Sequence, residues 1–210
     1  MAQRQFEFVL ASSSPRRQAL LRDAGYSFKV IAPPIQEPDE IIGKLPPAQQ
    51  AESLAYFKAR SVADAHPGVW VLAADTIVTL AGKVMGKAAD ADAARAMLRT
   101  LSGTRHTVVT GVALLGPDEE RLIASDVTHV TMRKMSPLEI ESYIASGEWI
   151  GKAGAYAIQE TADRFVQKVE GSFSNVVGLP VELVGRMIAE MRSHPQMHKA
   201  GMPITQQVSP

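Results

Sequence analysis

An apolar run at residues 69–78 constrains the fold of this chain more than any other feature of its sequence. The run is rich in β-branched residues, and Asp75 and Thr76 interrupt it. Such a run predicts a strand buried at the centre of a sheet. At the end of a buried strand the Asp75 carboxylate needs a cation, a metal or hydrogen bonds, because an unpaired buried charge is costly. Taken alone, Asp75 is better explained as a turn cap or the partner of a lysine.

Further strand patterns alternate with helical ones along the chain. We predict the other strands at residues 6–11, 27–32, 106–115, 122–133 and 165–169. We predict helices from Pro15 to a stop at Gly25 and at about residues 47–65, 90–101, 136–147 and 180–191. This mixed order indicates an α/β fold. The length of 210 residues allows one large domain or two lobes around a cleft, and we favour a single domain of residues 1–192 with two lobes.

Beyond residue 192 the chain has proline, histidine and glutamine without an apolar period, which predicts a disordered tail at 193–210. His194 and His198 are four residues apart there, and a structureless tail is a poor place for a metal site. Among the 210 residues, 22 Lys and Arg balance 22 Asp and Glu. A broad basic surface is therefore excluded, and neither a nucleic acid polymer nor a membrane is an expected partner.

The chain has no cysteine, which excludes disulfides, thiolate zinc sites and cysteine nucleophiles. Its N-terminal segment does not resemble a signal peptide, and no stretch approaches about 18 apolar residues. We therefore expect a cytoplasmic protein.

The polar turn after the first predicted strand is the first candidate site. Ser14 is a suitable N-cap for a helix that begins at Pro15. Arg16 and Arg17 then place two cations in the first helical turn, where the helix dipole disfavours them. Free N–H groups and two guanidinium groups suit a phosphate. Phosphate binding and a salt bridge to a distant carboxylate are equally good explanations of this pattern.

Ser12 and Asp75 both follow apolar runs, and ligands of open α/β sheets gather beyond the carboxyl ends of strands. Lys58 and Lys87 are candidates to add positive charge over a polyphosphate, although a single lysine is more often a solvated surface residue. Residues 82–87 superficially resemble the phosphate loop of P-loop NTPases. They have three residues between the glycines instead of four, and Ala88 follows the lysine, so that motif is excluded.

Residues 152–159 form the third candidate site. Their small side chains allow a backbone to approach a flat ligand, and the Gln159 amide can both donate and accept hydrogen bonds, as a pyrimidine edge requires. A packed turn at a lobe interface explains the composition equally well. Residues 175–180 are assigned to a glycine-containing turn before the last helix.

Three segments together resemble one family, the Maf-like nucleotide pyrophosphatases. They are residues 10–17 (LASSSPRR), 74–76 (ADT) and 152–156 (KAGAY) with Ile158 and Gln159. The likeness extends from Val9 to about Met191. It implies a Maf/ITPase-like α/β fold, in which helices flank a mixed central sheet and two lobes enclose a deep nucleotide-binding cleft. It also implies a homodimer and hydrolysis of nucleoside triphosphates to the monophosphate and pyrophosphate with Mg²⁺ or Mn²⁺.

The resemblance further implies a role for individual residues. Asp75 corresponds to the proton acceptor that activates water, and Asp75 with Glu37 corresponds to the metal-binding acids. The residues that would bind the triphosphate or select the base are Ser12, Arg16, Arg17, Lys58, Thr76, Lys87 and Gln159.

The KAGAY segment followed by Ile158 and Gln159 resembles the branch that acts on dTTP and UTP. Three positions depart from that branch, which usually has an acid at Gly151 and glycine at Ala157 and Glu160. These departures bear on substrate preference and leave the phosphate and base residues intact. A pyrophosphatase for 7-methyl-GTP or other modified purines, and a nucleotide-binding regulator of septum formation, are the alternatives.

Overall fold

The apolar run forms strand β3 (Val71–Leu80) in the computed structural model, which describes residues 6–34, 43–159 and 161–193. This strand begins and ends two residues later than predicted. Asp75 consequently lies in the middle of β3, so its expected place at the strand end was wrong. The reason is that β3 pairs with the next long strand continuously from Val71 to Thr79, which keeps the chain extended past the aspartate.

The other strands of the described residues are β1 (Phe8–Leu10), β2 (Phe28–Val30), β4 (Lys83–Met85), β5 (Arg105–Leu115), β6 (Arg121–Met132) and β7 (Val166–Glu170). They form one mixed sheet in the order β2-β1-β3-β5-β6-β7, with β4 paired to β3. β1 is parallel to β2 and β3, and the other pairs are antiparallel. The sheet confirms the predicted mixed α/β fold.

Helices cover the sheet, and they are α1 (Pro15–Asp23), α2 (Pro47–Ala63), α3 (Ala91–Leu101), α4 (Pro137–Ser146), α5 (Phe173–Val177) and α6 (Val181–Ser193). Short 3₁₀ turns occupy Pro117–Glu119 and Thr161–Phe165. The predicted caps are present, since Ser14 accepts from the backbone N–H of Arg17 and Gly147 ends α4 in the left-handed region. None of the helices in the described ranges is both long and apolar enough to cross a membrane.

The two faces of the sheet pack differently. On one face α2 contributes alanines at Ala51, Ala55 and Ala59, which are all fully buried. A Cβ atom at Gly111 of β5 would lie 2.2 Å from the carbonyl carbon of Ala51, so only glycine permits this approach. On the other face Leu183, Val184 and Ile188 of α6 belong to a larger apolar cluster. Small residues therefore bring α2 unusually close to the centre of the sheet.

Two elements differ from the sequence prediction. Strand β4 was missed, because three mostly exposed residues after the turn at Gly82 give no burial pattern. Residues 173–177 form a helical turn that Ser172 caps, and this helix includes the first three residues of the turn predicted at 175–180. Ser193, the first residue of the predicted disordered tail, is instead the last residue of α6. Residues 194–210 with His194 and His198, as well as Glu37 and Glu160, lie outside the described residues.

Candidate active site

A cleft opens where β3 changes its neighbour on one edge. β1 pairs with β3 at Val71 and Leu72, and β4 pairs with it at residues 78–80. No described strand pairs with this edge of β3 between them, at residues 73–77. A cavity of about 500 Å³ lies at this gap. The end of β1 and the turn after β4 therefore face each other across the middle of β3.

Eight of the predicted site residues line this single cavity. They are Ser12, Arg16, Arg17, Lys58, Asp75, Thr76, Lys87 and Gln159. Glu37, the ninth, lies outside the described residues. Segments that are far apart in sequence thus contribute to one site, which lies beside the middle of β3 and not at its end as predicted.

The N-terminus of α1 forms one wall of the cavity. The Ser14 hydroxyl accepts from the N–H of Arg17 at 3.5 Å, and the Ser12 hydroxyl accepts from the N–H of Ser14 at 3.2 Å. The first turn of α1 contains no acidic residue. Within the described ranges, the Arg16 side chain makes no hydrogen bond or ion pair, although it lines the cavity. Positive charge from the helix end and Arg16 therefore faces the cleft, which suits an anion.

Arg17 is held by the protein itself. Its guanidinium group donates to the carbonyl of Gly178 at 2.8 Å, to the Thr76 hydroxyl at 3.2 Å and to the Ser12 hydroxyl at 3.4 Å. Gly178 has a φ of +124°, which few other residues adopt. The sequence alone did not indicate a site role for Gly178. The available signal was its position two residues before Pro180, which directly precedes α6. Arg17 therefore fixes the α1 end against β3 and the segment after α5.

Asp75 and Lys58 form an ion pair inside the cleft. The Lys58 ammonium on α2 contacts the Asp75 carboxylate, and the two side chains are only 15% and 12% exposed. Asp75 lies directly opposite Gly111 in the sheet register, so the close approach of α2 at Gly111 brings the lysine within reach. The lysine partner that the sequence suggested for an isolated aspartate is present, and the pair also lines the cavity.

Thr76 points to the opposite face of β3 from Asp75, because side chains alternate along a strand. Its hydroxyl accepts from Arg17 and lies 2.9 Å from the Thr110 hydroxyl. Thr110 in turn donates to the backbone carbonyl of Asn175 at 3.1 Å. The threonine pair therefore connects the cleft to Asn175, a buried residue in the middle of α5.

Residues 151–159, here named the cleft loop, form the far wall. The loop is tied to the β4 turn, since the N–H of Gly154 donates to the carbonyl of Gly86 at 3.0 Å and Lys87 bridges to Ala153. Gly154 has a φ of +69°, and a Cβ atom there would lie 3.1 Å from the Val78 side chain. Gln159 is exposed and makes no hydrogen bond to another described residue. Its amide is therefore available to a ligand in the cavity.

Metal binding rests on few protein donors in the described part of the chain. That part contains no group of three or more His, Cys, Asp or Glu side chains that could hold a metal ion. Among the described residues that line the cavity, Asp75 supplies the one carboxylate. Mg²⁺ is usually bound by one or two carboxylates together with substrate phosphates. The donor set therefore fits a metal that is shared with a bound polyphosphate.

Comparison with known proteins links this chain to a family. Residues 7–191 match the family model described as "Maf-like protein". A dTTP/UTP pyrophosphatase of Pelotomaculum thermopropionicum is 44% identical over 183 residues, which cover 87% of this chain and 95% of that protein. A dTTP/UTP pyrophosphatase of Myxococcus xanthus is 47% identical over 196 residues, or 93% of each chain. The solved structure of a HAM1 protein from Coxiella burnetii aligns with a TM-score of 0.48 and 19% identity over 89% of this chain and 100% of that chain.

Proposed function

This chain belongs to the Maf-like protein family, and we propose that its cleft hydrolyses dTTP and UTP between the α- and β-phosphates, giving the monophosphate and pyrophosphate. One observation carries the proposal beyond the family relationship. Among the described residues, Asp75 supplies the one carboxylate that lines a cavity of about 500 Å³, together with the cationic side chains of Arg16, Lys58 and Lys87. Hydrolysis of a phosphoanhydride requires a base that accepts a proton from water and cations that stabilise the charge on the phosphates.

The α1 end and the two lysines would bind the triphosphate. Helix N–H groups, the Ser12 hydroxyl and the Arg16 guanidinium face the cavity from one side, and Lys87 faces it from the other. Together they offset the charge that builds up on the departing pyrophosphate. Arg17 belongs to this wall and orients Ser12 through its hydrogen bond.

Asp75 would act as the base. In the proposed step a water oxygen forms a bond to the α-phosphorus while the water proton passes to the Asp75 carboxylate. The bond from the α-phosphorus to the bridging oxygen breaks, and that oxygen leaves with the pyrophosphate. Lys58 fixes the orientation of the carboxylate through its ion pair, and its position on the cavity wall also places its charge near the phosphates.

We further propose that Mg²⁺ or Mn²⁺ takes part. Asp75 and Glu37 would hold the ion together with substrate oxygens. When bound, a divalent cation polarises the phosphoryl oxygens and neutralises charge on the leaving group. We expect EDTA to abolish pyrophosphate release and either metal to restore it.

Base selection would belong to the other end of the cleft. Gln159 and the small residues of the cleft loop line the cavity together with the α1 end. An amide that both donates and accepts matches the N–H and carbonyl edge of uracil or thymine. This complementarity supports a pyrimidine substrate.

Measuring pyrophosphate release from a panel of nucleoside triphosphates with Mg²⁺ or Mn²⁺ tests the proposed function. We expect dTTP and UTP to be preferred, and Asp75→Asn to lose pyrophosphate release while it still binds nucleotide. Asp64→Asn is the matched control, since Asp64 pairs with Arg60 on the exposed end of α2. Preference for a purine would contradict the pyrimidine assignment. Nucleotide binding without pyrophosphate release by the unmodified chain would favour a regulatory role instead.

A further inference from the structure

A buried histidine lies behind the wall that the cleft loop forms. His106 of β5 is 1% exposed, and its Nε2 atom lies 2.7 Å from the Tyr156 hydroxyl. The two rings meet edge to face with their centroids 5.4 Å apart. Tyr156 is 6% exposed and lines the cavity. Neither side chain has a role in the hydrolysis proposed above, so the pair needs a separate explanation.

The backbone next to Tyr156 needs support to keep its shape. Ala155 has a φ of +58°, a left-handed conformation that is unfavourable for a residue with a Cβ atom. Such conformations persist where surrounding contacts enforce them. The N–H of Ala157 donates to the Tyr143 hydroxyl at 3.2 Å, which holds the backbone on the other side of Tyr156. The bond from Tyr156 to His106 is a side-chain hydrogen bond that ties this stretch to the central sheet.

The His106–Tyr156 bond joins two uncharged groups. Burial lowers the pKa of His106 to about 4 and raises the pKa of Tyr156, so neither is ionised near neutral pH. Within the described ranges, the Nδ1 atom of His106 is buried without a hydrogen-bond partner. The bond at Nε2 is therefore the one the imidazole makes there, and its loss would leave the second ring nitrogen unsatisfied as well.

We propose that His106 is a positioning residue for base recognition, which holds the cleft loop and its Gln159 amide at the cavity wall through Tyr156. Two residues, Ala157 and Ile158, separate Tyr156 from Gln159. Both are buried, at 4% and 3% exposure, so this connection is packed against the protein. A shift of the tyrosine therefore moves the amide. This inference rests on the proposed function, since it assigns Gln159 to the nucleobase.

Steady-state kinetics with UTP and GTP test the inference in His106→Phe, Tyr156→Phe and the double variant. Loss of one buried hydrogen bond corresponds to a change of roughly three- to tenfold. We expect each single variant to raise KM for UTP by that factor with kcat nearly unchanged, and to lower the preference for UTP over GTP. The double variant should be no worse than the singles, because both remove the same bond.

Thr107→Val is the matched control. The Thr107 hydroxyl pairs with His129 Nδ1 at 3.1 Å across β5 and β6, and neither residue lines the cavity. We expect this variant to keep KM and the UTP preference of the unmodified chain. His106→Gln should recover part of the lost affinity, because its amide can still bond to Tyr156.

Unchanged KM and base preference in Tyr156→Phe, or additive effects in the double variant, would overturn the inference. Tyr156→Phe keeps the ring and decides the question if His106→Phe does not fold. An unmodified chain that releases no pyrophosphate from UTP contradicts the proposed function itself. An active chain whose His106 and Tyr156 variants behave like Thr107→Val contradicts the positioning role alone.

Discussion

Two adjacent arginines at the start of α1 have different surroundings. Arg16 faces the cavity and has no partner among the described residues, whereas Arg17 donates to Gly178, Thr76 and Ser12. A side chain that binds only the ligand affects catalysis without affecting folding. One that also connects three segments affects both.

We therefore expect Arg16→Ala to lower kcat/KM about ten- to hundredfold, the effect of losing a charged hydrogen bond. Its thermal unfolding midpoint should stay unchanged. Arg17→Ala should lower kcat/KM and also reduce the free energy of unfolding by about 1–3 kcal/mol. Kinetics and denaturant unfolding of both variants check this, and equal stability losses would contradict the distinction.

At the scale of elements, the packing of α2 on β5 determines where Lys58 lies. Gly111 lies opposite Asp75, and the backbone of α2 fills the space where a side chain would stand. A Cβ atom there would force the helix outward. The cost of such overpacking is typically 1–3 kcal/mol, and the shift would also draw Lys58 away from Asp75.

We expect Gly111→Ala to reduce the free energy of unfolding by about 2 kcal/mol or more and to lower kcat as well. Gly185→Ala in α6 is the control, because a Cβ atom there would lie 3.4 Å from the Tyr26 hydroxyl at its nearest. Alanine improves helix propensity by about 1 kcal/mol relative to glycine, so this control should be neutral or stabilising. Urea unfolding of both variants measures the difference, and a stable Gly111→Ala would contradict the close packing.

The sequence predicted the strands and helices better than the way in which they pair and pack. Local signals located β1, the Ser14 cap and α1, because caps and apolar periods act within a few residues. The place of Asp75 in mid-strand depends on pairing with β5, and the partner change from β1 to β4 depends on strands remote in sequence. Local patterns do not encode such register. The family resemblance identified the residues that gather in the cleft, and Gly178 and His106 emerged from the three-dimensional contacts.

At the scale of the whole molecule, burial of His106 links stability to pH. Its pKa falls from 6.5 to about 4 on folding, because burial disfavours the charged imidazole. Between these values the unfolded chain binds more protons than the folded one, so stability rises with pH. The stability that the neutral His106 side chain contributes is complete above about pH 6.5 and is lost progressively as pH falls towards 4.

As pH falls from 6.5 to 4, His106 is protonated in the unfolded chain before it is protonated in the fold. We expect this difference to lower the free energy of unfolding by about 3 kcal/mol. His106→Phe should remove that part of the pH dependence. Urea unfolding at several pH values compares the two chains. Parallel stability curves for the variant and the unmodified chain would show that the histidine does not remain neutral in the fold.

The central claim is that the cleft directs water to the α-phosphorus of a nucleoside triphosphate. Hydrolysis of UTP in ¹⁸O-labelled water, with mass spectrometry of both products, tests it most directly. We expect the label in UMP and unlabelled pyrophosphate, with no product formation by Asp75→Asn. Label in the pyrophosphate, release of orthophosphate with UDP, or full activity of Asp75→Asn would contradict the claim.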